Sequence, residues 1–155
     1  MPETIIYRVC KMRYPVFDGA GAALEGGRWN SRGRPIVYGS EALAGCLLEI
    51  LVHAGRRQKI PGKHHCARGR VPEDISIEVV DSAKLDGWDD PSSTVASMYG
   101  DRWFDEMRSA VLRVPAAAAR PFGTNLLLNP HHPDFKKIVI ELPVPIAWDV
   151  RLFTV

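Results

Sequence analysis

The stretch LEGGRWNSRGRPIVYGSEALAGCLLEILVHA, residues 24–54, contains the change of pattern on which the fold reading turns. Its first seventeen residues carry four glycines, three arginines and Trp29, then run into an apolar Pro-Ile-Val-Tyr piece. The β-branched and aromatic residues of Pro35 to Gly39 predict a short strand. From Glu41 the apolar spacing becomes helical. Leu43, Leu47, Ile50, Leu51 and Ala54 share one face, while Leu48 and Val52 extend it round the side. This predicts a nearly all-buried helix over Glu41 to Ala54, with Ser40 as N-cap and Gly55 as C-cap. Glu49 interrupts that apolar surface. Its neighbours one turn back are Gly45 and Cys46, which leave space around the carboxylate. Periodicity alone reads Glu49 as the helix's one wet strip; the alternative is a carboxylate lining a cleft, where reduced solvation strengthens its field.

Outward from this stretch, further strands are expected at Thr4 to Val9, Ile75 to Val80, Ala110 to Val114, Lys137 to Leu142 and Ala147 to Phe153. A second helix is expected within Ser92 to Arg108, where Val95, Met98, Tyr99 and Trp103 share a face. Strands do not alternate with helices of crossover length, so the fold class is α+β, a mixed or antiparallel β core with a few helices. At 155 residues the chain matches one domain spanning 1–155.

A hydrophobic fraction of 46% and a charged fraction of 25% match ordinary globular usage and exclude disordered and fibrous classes. Cys10, Cys46 and Cys66 are odd in number and unpatterned, which argues against a disulfide framework and for a reducing, cytoplasmic location. MPETIIYRV has no basic region before an apolar run and so does not read as a signal peptide, and no apolar run is long enough to span a membrane. The net charge of +2 is too small to imply a polyanion partner. Gly55 to Arg70 carries six basic residues and no acid, followed by seven acids between Glu73 and Asp90. The basic segment reads as a solvated loop facing an acidic partner or neighbour. It lacks the interleaved aromatics of a single-strand platform, so direct nucleic-acid binding is not expected. His64, His65 and Cys66 are adjacent and cannot all point at one metal from a regular element, so they read as loop residues and no metal site is expected. His131 and His132 lie among turn signals. The run Ala116 to Ala119 is too short for a stable helix alone.

Gly26 and Gly27 have no side chains to hold a ligand off, so Arg28 is able to project into a site and offer a planar fork to phosphate oxygens. A lone Gly-Gly-Arg is more simply a turn with an exposed ion pair. What changes the weighing is the order of its companions: Tyr7-Arg8, FDGAGA (Phe17 to Ala22), GGRWN (Gly26 to Asn30), IVYGS (Ile36 to Ser40), LLEILVH (Leu47 to His53), and Val114-Pro115 followed by NLLLNPHHPDF (Asn125 to Phe135). Over most of its length the chain resembles the RES domain family.

The resemblance implies a bacterial toxin paired with an Xre-type antitoxin in an oligomeric toxin–antitoxin complex. It implies a fold like that of ADP-ribosyltransferases, with NAD as the substrate. Carried across motif by motif, the family's arginine is Arg28, its tyrosine Tyr38 and its glutamate Glu49. The serine that completes the family's name should follow Val114-Pro115, where this chain has Ala116. In that chemistry Glu49 stabilises the cationic ribosyl centre, Tyr38 stacks on nicotinamide or ribose, and Arg28 holds the diphosphate. Arg8 is a candidate second phosphate contact, with an ordinary surface ion pair as the alternative, and Asn125 joins Ala116 as a candidate NAD-binding position. The acceptor of ADP-ribose stays open between water, phosphate and a protein side chain, which in turn leaves hydrolase, phosphorylase and transferase open. A catalytically weakened module that mainly binds its antitoxin is the other function class.

Overall fold

Two β-sheets face each other, described over residues 2–54 and 60–153 in this computed structural model. In chain order the elements are β1 (Thr4–Lys11), α1 (Ala20–Glu25), β2 (Val37–Gly39), α2 (Leu43–Ala54), β3 (His64–Val71), β4 (Ile77–Val79), α3 (Val95–Asp105), β5 (Val111–Pro115), β6 (Thr124–Leu128), β7 (Val139–Ile140) and β8 (Val144–Pro145). In the first sheet β3 lies between β1 and the short β7 and β8, all antiparallel. The second runs β2-β6-β5-β4, with only the β4–β5 pair parallel. This is an α+β fold, with the mixed and antiparallel core expected from the sequence.

The triple leucine of β6 explains how the second sheet sits. Leu126 and Leu128 point into a core shared with Ile6, Val37, Ala67 and Val111, between the sheets. Leu127 points the other way, into a second core with Trp29, Trp88, Trp103, Leu112 and Val114. A strand covered on both faces needs apolar residues at consecutive positions, and burying each leucine contributes about 1.5–3 kcal/mol. α3 covers the second face through Ala96, Trp103 and Phe104. Gly100 lets it approach: a Cβ there would overlap the Trp29 carbonyl oxygen.

The two sheets meet where Tyr7 and Ser40 exchange backbone hydrogen bonds of 2.7 and 2.9 Å. This contact fixes the start of α2 against β1. Ser40 Oγ accepts from the Ala42 amide at 3.2 Å, a capping contact like the one expected, although the helix itself begins at Leu43 and not Glu41. The expected C-cap, Gly55, lies outside the described residues, as do Arg56, Arg57 and Lys59.

Several sequence expectations need correction. α2 is not nearly all buried: Cys46 is its buried residue, its thiol donating to the Tyr7 carbonyl, while Leu43, Leu48 and Val52 are exposed. The helix lies on the first sheet by one narrow strip, so among the described residues its extra apolar side chains are left uncovered. The basic segment ending at Arg70 is not all loop; its second half is β3. Arg68 and Arg70 pair with Glu141 and Glu3 across the sheet, so the acids that balance them come from distant sequence and not from the adjacent acidic run. His64, His65 and Cys66 are therefore strand residues. His64 is buried, with Nδ1 at 2.6 Å from the Gly62 carbonyl and its ring edge-on to Trp148. Ala147 to Phe153 is not a strand either. Asp149 accepts from the Arg151 amide and turns Val150–Leu152 into a 3₁₀ turn. Lys137 to Leu142 contributes only Val139 and Ile140 as strand, because the 3₁₀ turn Pro133–Lys137 takes up its start.

Candidate active site

The double glycine opens a tight loop built around Asn30 and Tyr38. Gly26 adopts φ 76°, the left-handed region that favours glycine. Gly27 makes room inside the protein and not for a ligand: a Cβ there would sit 2.7 Å from the Tyr38 hydroxyl. That hydroxyl donates to Asn30 Oδ1 and accepts from the Trp29 amide at 3.1 Å. Asn30, only 2% exposed, donates through Nδ2 to the carbonyls of Ala22, Ser31 and Arg34. α3 fastens the far side, where Asp101 accepts from the Ser31 amide at 2.8 Å and Asp105 takes two hydrogen bonds from Arg34. Held in this way, the loop presents Arg28 at the surface, with Nη1 donating to the Trp88 carbonyl at 3.1 Å.

The Tyr38 phenol is pushed well above its ordinary pKa, chiefly by burial; the Trp29 amide and the nearby Arg28 charge oppose the shift. It remains neutral at any physiological pH, and both its donor and acceptor capacities are in use. Its hydroxyl therefore anchors the arginine loop.

Glu49 lies at the other end of the site. Its half-buried carboxylate accepts from Asn125 Nδ2 at 3.2 Å, which joins α2 to β6. Glu49 and Asn125 line a cavity of about 270 Å³ between the first half of α2 and the turn joining β5 to β6. Ala116 and Thr124 line it too. Ala116 is 3% exposed and its amide donates to the Gly123 carbonyl, closing the turn. Asn125 shares a sheet face with Leu127, and Tyr38 pairs with Leu127 across β2 and β6. Tyr38 and Asn125 thus stand diagonally on one face. Arg28 and Tyr38 do not line the cavity itself; Arg28 stands on its loop at the Trp88 carbonyl, and Tyr38 packs against the second core.

Arg8 is used elsewhere. Its Nε donates to the Val16 carbonyl and Nη1 to the Tyr38 carbonyl at 2.8 Å, and burial holds the guanidinium below its ordinary pKa. It ties β1 to β2 from within. His132 also has a structural place, Nδ1 accepting from the Asp134 amide at 3.1 Å, while the His131 ring lies against Phe104.

The cavity also contains a residue that sequence reasoning missed. Glu41 lines it, gripped by Arg113 of β5 at 2.5 Å and contacted by the Thr124 hydroxyl at 3.4 Å. Seventy-two residues separate Glu41 from Arg113, so no local spacing signals the pair.

With this geometry in place, comparison with known proteins settles the kinship. The family model described as RES domain matches residues 5–150. The chain belongs to the RES domain family. A Sphingobium relative named Prs ADP-ribosylating toxin is 40% identical over 125 residues, covering 78% of this chain and 76% of its own. A Photorhabdus laumondii protein named Toxin Res is 33% identical over 138 residues, covering 87% of both. A crystal structure of the M. tuberculosis MbcT-MbcA toxin-antitoxin complex aligns with a TM-score of 0.77 at 16% identity, covering 94% of this chain and 85% of that one. The last likeness concerns the fold: the two-sheet frame persists where few residues match. In this RES domain the motif glutamate and an asparagine of the late motif meet at the cavity, while the motif tyrosine, on β2, anchors the loop that carries the motif arginine. Among the described residues no helix is long and apolar enough to cross a membrane.

Proposed function

We propose that this RES domain is a bacterial toxin that breaks the nicotinamide–ribose bond of NAD and passes ADP-ribose to an acceptor. The observation that carries the reading is the Glu49 carboxylate, held by Asn125 at the wall of a cavity large enough for a ribose and its leaving group. The leaving pyridinium takes the bonding electrons to its ring nitrogen and departs neutral, so no strong acid is required. The ribosyl carbon becomes cationic, and a fixed carboxylate in a partly dehydrated cavity stabilises that charge. In this reading Arg28, exposed on the loop that Tyr38 anchors, offers its guanidinium fork to the diphosphate. The Tyr38 hydroxyl keeps that arginine in place while its ring supports the substrate. The relatives named as toxins favour a toxic role, and the one named ADP-ribosylating favours a protein acceptor. An Xre-type antitoxin that covers the cleft is the partner this reading requires.

The test is incubation with NAD, with and without phosphate and cell extract, followed by mass spectrometry of small molecules and proteins. Released nicotinamide supports the reading. Free ADP-ribose, ADP-ribose 1-phosphate or a protein heavier by one ADP-ribosyl group identifies the acceptor. An untouched NAD pool sinks the proposal.

Ala116 occupies the serine position of the family. A serine there places a hydroxyl in the cavity, where one added hydrogen bond contributes about 0.5–1.5 kcal/mol. Ala116→Ser is therefore expected to raise nicotinamide release by up to about tenfold. Thr124 already brings a hydroxyl to the same cavity, directed at Glu41. If Ala116→Ser leaves the rate unchanged and Thr124→Val is also harmless, no hydroxyl is used here.

A further inference from the structure

The cavity that holds Glu49 has a second carboxylate on its wall, and the two are held very differently. Glu49 receives a neutral donor, the Asn125 amide at 3.2 Å. Glu41 receives a cationic one: Arg113 Nη2 grips its Oε1, while among the described residues Oε2 has only the long 3.4 Å contact from Thr124. Arg113 and Thr124 come from the two strands that the cavity-lining turn connects, so the turn and the carboxylate are fixed to one frame. Two carboxylates around one glycosidic centre permit a division of labour. One faces the developing ribosyl charge. The other meets whatever attacks it.

We propose that Glu41 is the general base of the transfer step, accepting the proton of a hydroxyl-bearing acceptor as that acceptor attacks the ribosyl carbon. The inference rests on the NAD-cleaving reading of the site. The bond between C1′ and the nicotinamide nitrogen breaks with its electron pair going to the ring. A lone pair of the acceptor oxygen forms the new C1′–O bond. The acceptor's proton moves to Glu41 Oε2 and from there to solvent. Arg113 fixes Oε1, which leaves Oε2 to take the proton. A weak base suffices. The electrophile is already cationic, so the attacking oxygen becomes strongly acidic as its bond forms.

The discriminating probe is azide, an anionic nucleophile with no proton to lose. Nicotinamide release and products are measured for the parent, Glu41→Gln and Glu49→Gln, each with and without added sodium azide. Glu41→Gln is expected to lower transfer to water by about ten- to a hundredfold, while azide restores turnover and yields ADP-ribosyl azide. Azide is expected to leave Glu49→Gln slow, because the charge missing there belongs to the cleavage step. Arg113→Gln supplies a second measurement. Freeing Oε1 is expected to lower transfer to water while azide again restores turnover, a rescue that a merely structural role does not produce. An active parent with Glu41→Gln at the parent rate, or with Glu41→Gln slowed and not rescued by azide, overturns the role of Glu41 and leaves the NAD reading intact. A parent that releases no nicotinamide overturns that reading, and this one with it.

Discussion

Glu49→Gln is expected to cut nicotinamide release by about a thousandfold while leaving NAD affinity and thermal stability close to the parent. Glutamine has the same shape, and its Oε1 can still accept from Asn125 Nδ2, so the link between α2 and β6 survives. What is lost is one negative charge at a half-buried position. In bound NAD the positive charge resides on the nicotinamide ring; it reaches the ribosyl carbon only as the bond stretches. The carboxylate therefore contributes more to the transition state than to the bound substrate, and its loss falls on kcat. Single-turnover nicotinamide release, together with a calorimetric Kd for NAD, separates the two. Release at the parent rate would place the cationic centre elsewhere. A Kd raised in proportion to the lost rate would make Glu49 a binding residue and not a catalytic one.

The same residue illustrates how far sequence reading reaches. The strand–helix switch around Ser40 is legible because a short apolar run of β-branched and aromatic residues abuts a helical apolar period there, with a cap between them. The local hydrogen bond from Ala42 to Ser40 is the physical counterpart of that signal. β3 was not legible. Its residues HHCARGRV are too polar for a buried strand, and they form one because β1 supplies partners all along it, from Thr4 opposite Val71 to Lys11 opposite His64. Long-range pairing overrides a weak local preference. The apolar surplus of α2 misled in the opposite sense. Periodicity reports which residues are apolar; whether anything covers them depends on the tertiary arrangement, and here much of that face stays open.

For the site, motifs identify single residues and the fold brings them together. Glu49 and Asn125 are seventy-six positions apart and share a hydrogen bond. Their pairing depends on the tertiary arrangement that brings Asn125 of β6 to α2, which the residues alone do not specify. The double glycine was read as an opening for a ligand, and the space above Gly27 is filled instead by the Tyr38 hydroxyl. Tyr38 and Arg28 are thus connected mechanically, one holding the loop that carries the other. Glu41 was missed because nothing local marks it. An acid at the start of a helix is ordinary, and only the distant Arg113 and Thr124 give it a setting.

Arg28→Ala is expected to weaken NAD binding by about two hundredfold, with a smaller fall in kcat. Truncating one partner of a charge-assisted contact that closes around substrate costs about 3 kcal/mol, which is that factor in affinity. Arg28 is exposed, and its one described hydrogen bond goes to the Trp88 carbonyl. The loop beneath it is fixed by Asn30, Tyr38 and Asp101. Its removal should therefore leave the melting temperature almost unchanged, since surface substitutions away from such anchors shift stability by about 0.5 kcal/mol or less. Arg28→Lys keeps the charge and loses the fork, so it should recover only part of the affinity. The effect should be confined to ligands bearing a diphosphate. Nicotinamide riboside, which has the same scissile bond and no diphosphate, should bind parent and Arg28→Ala equally weakly. If the riboside loses affinity along with NAD, Arg28 acts on the cavity through the loop and not on the diphosphate. If NAD affinity is unchanged, the diphosphate binds elsewhere on the protein.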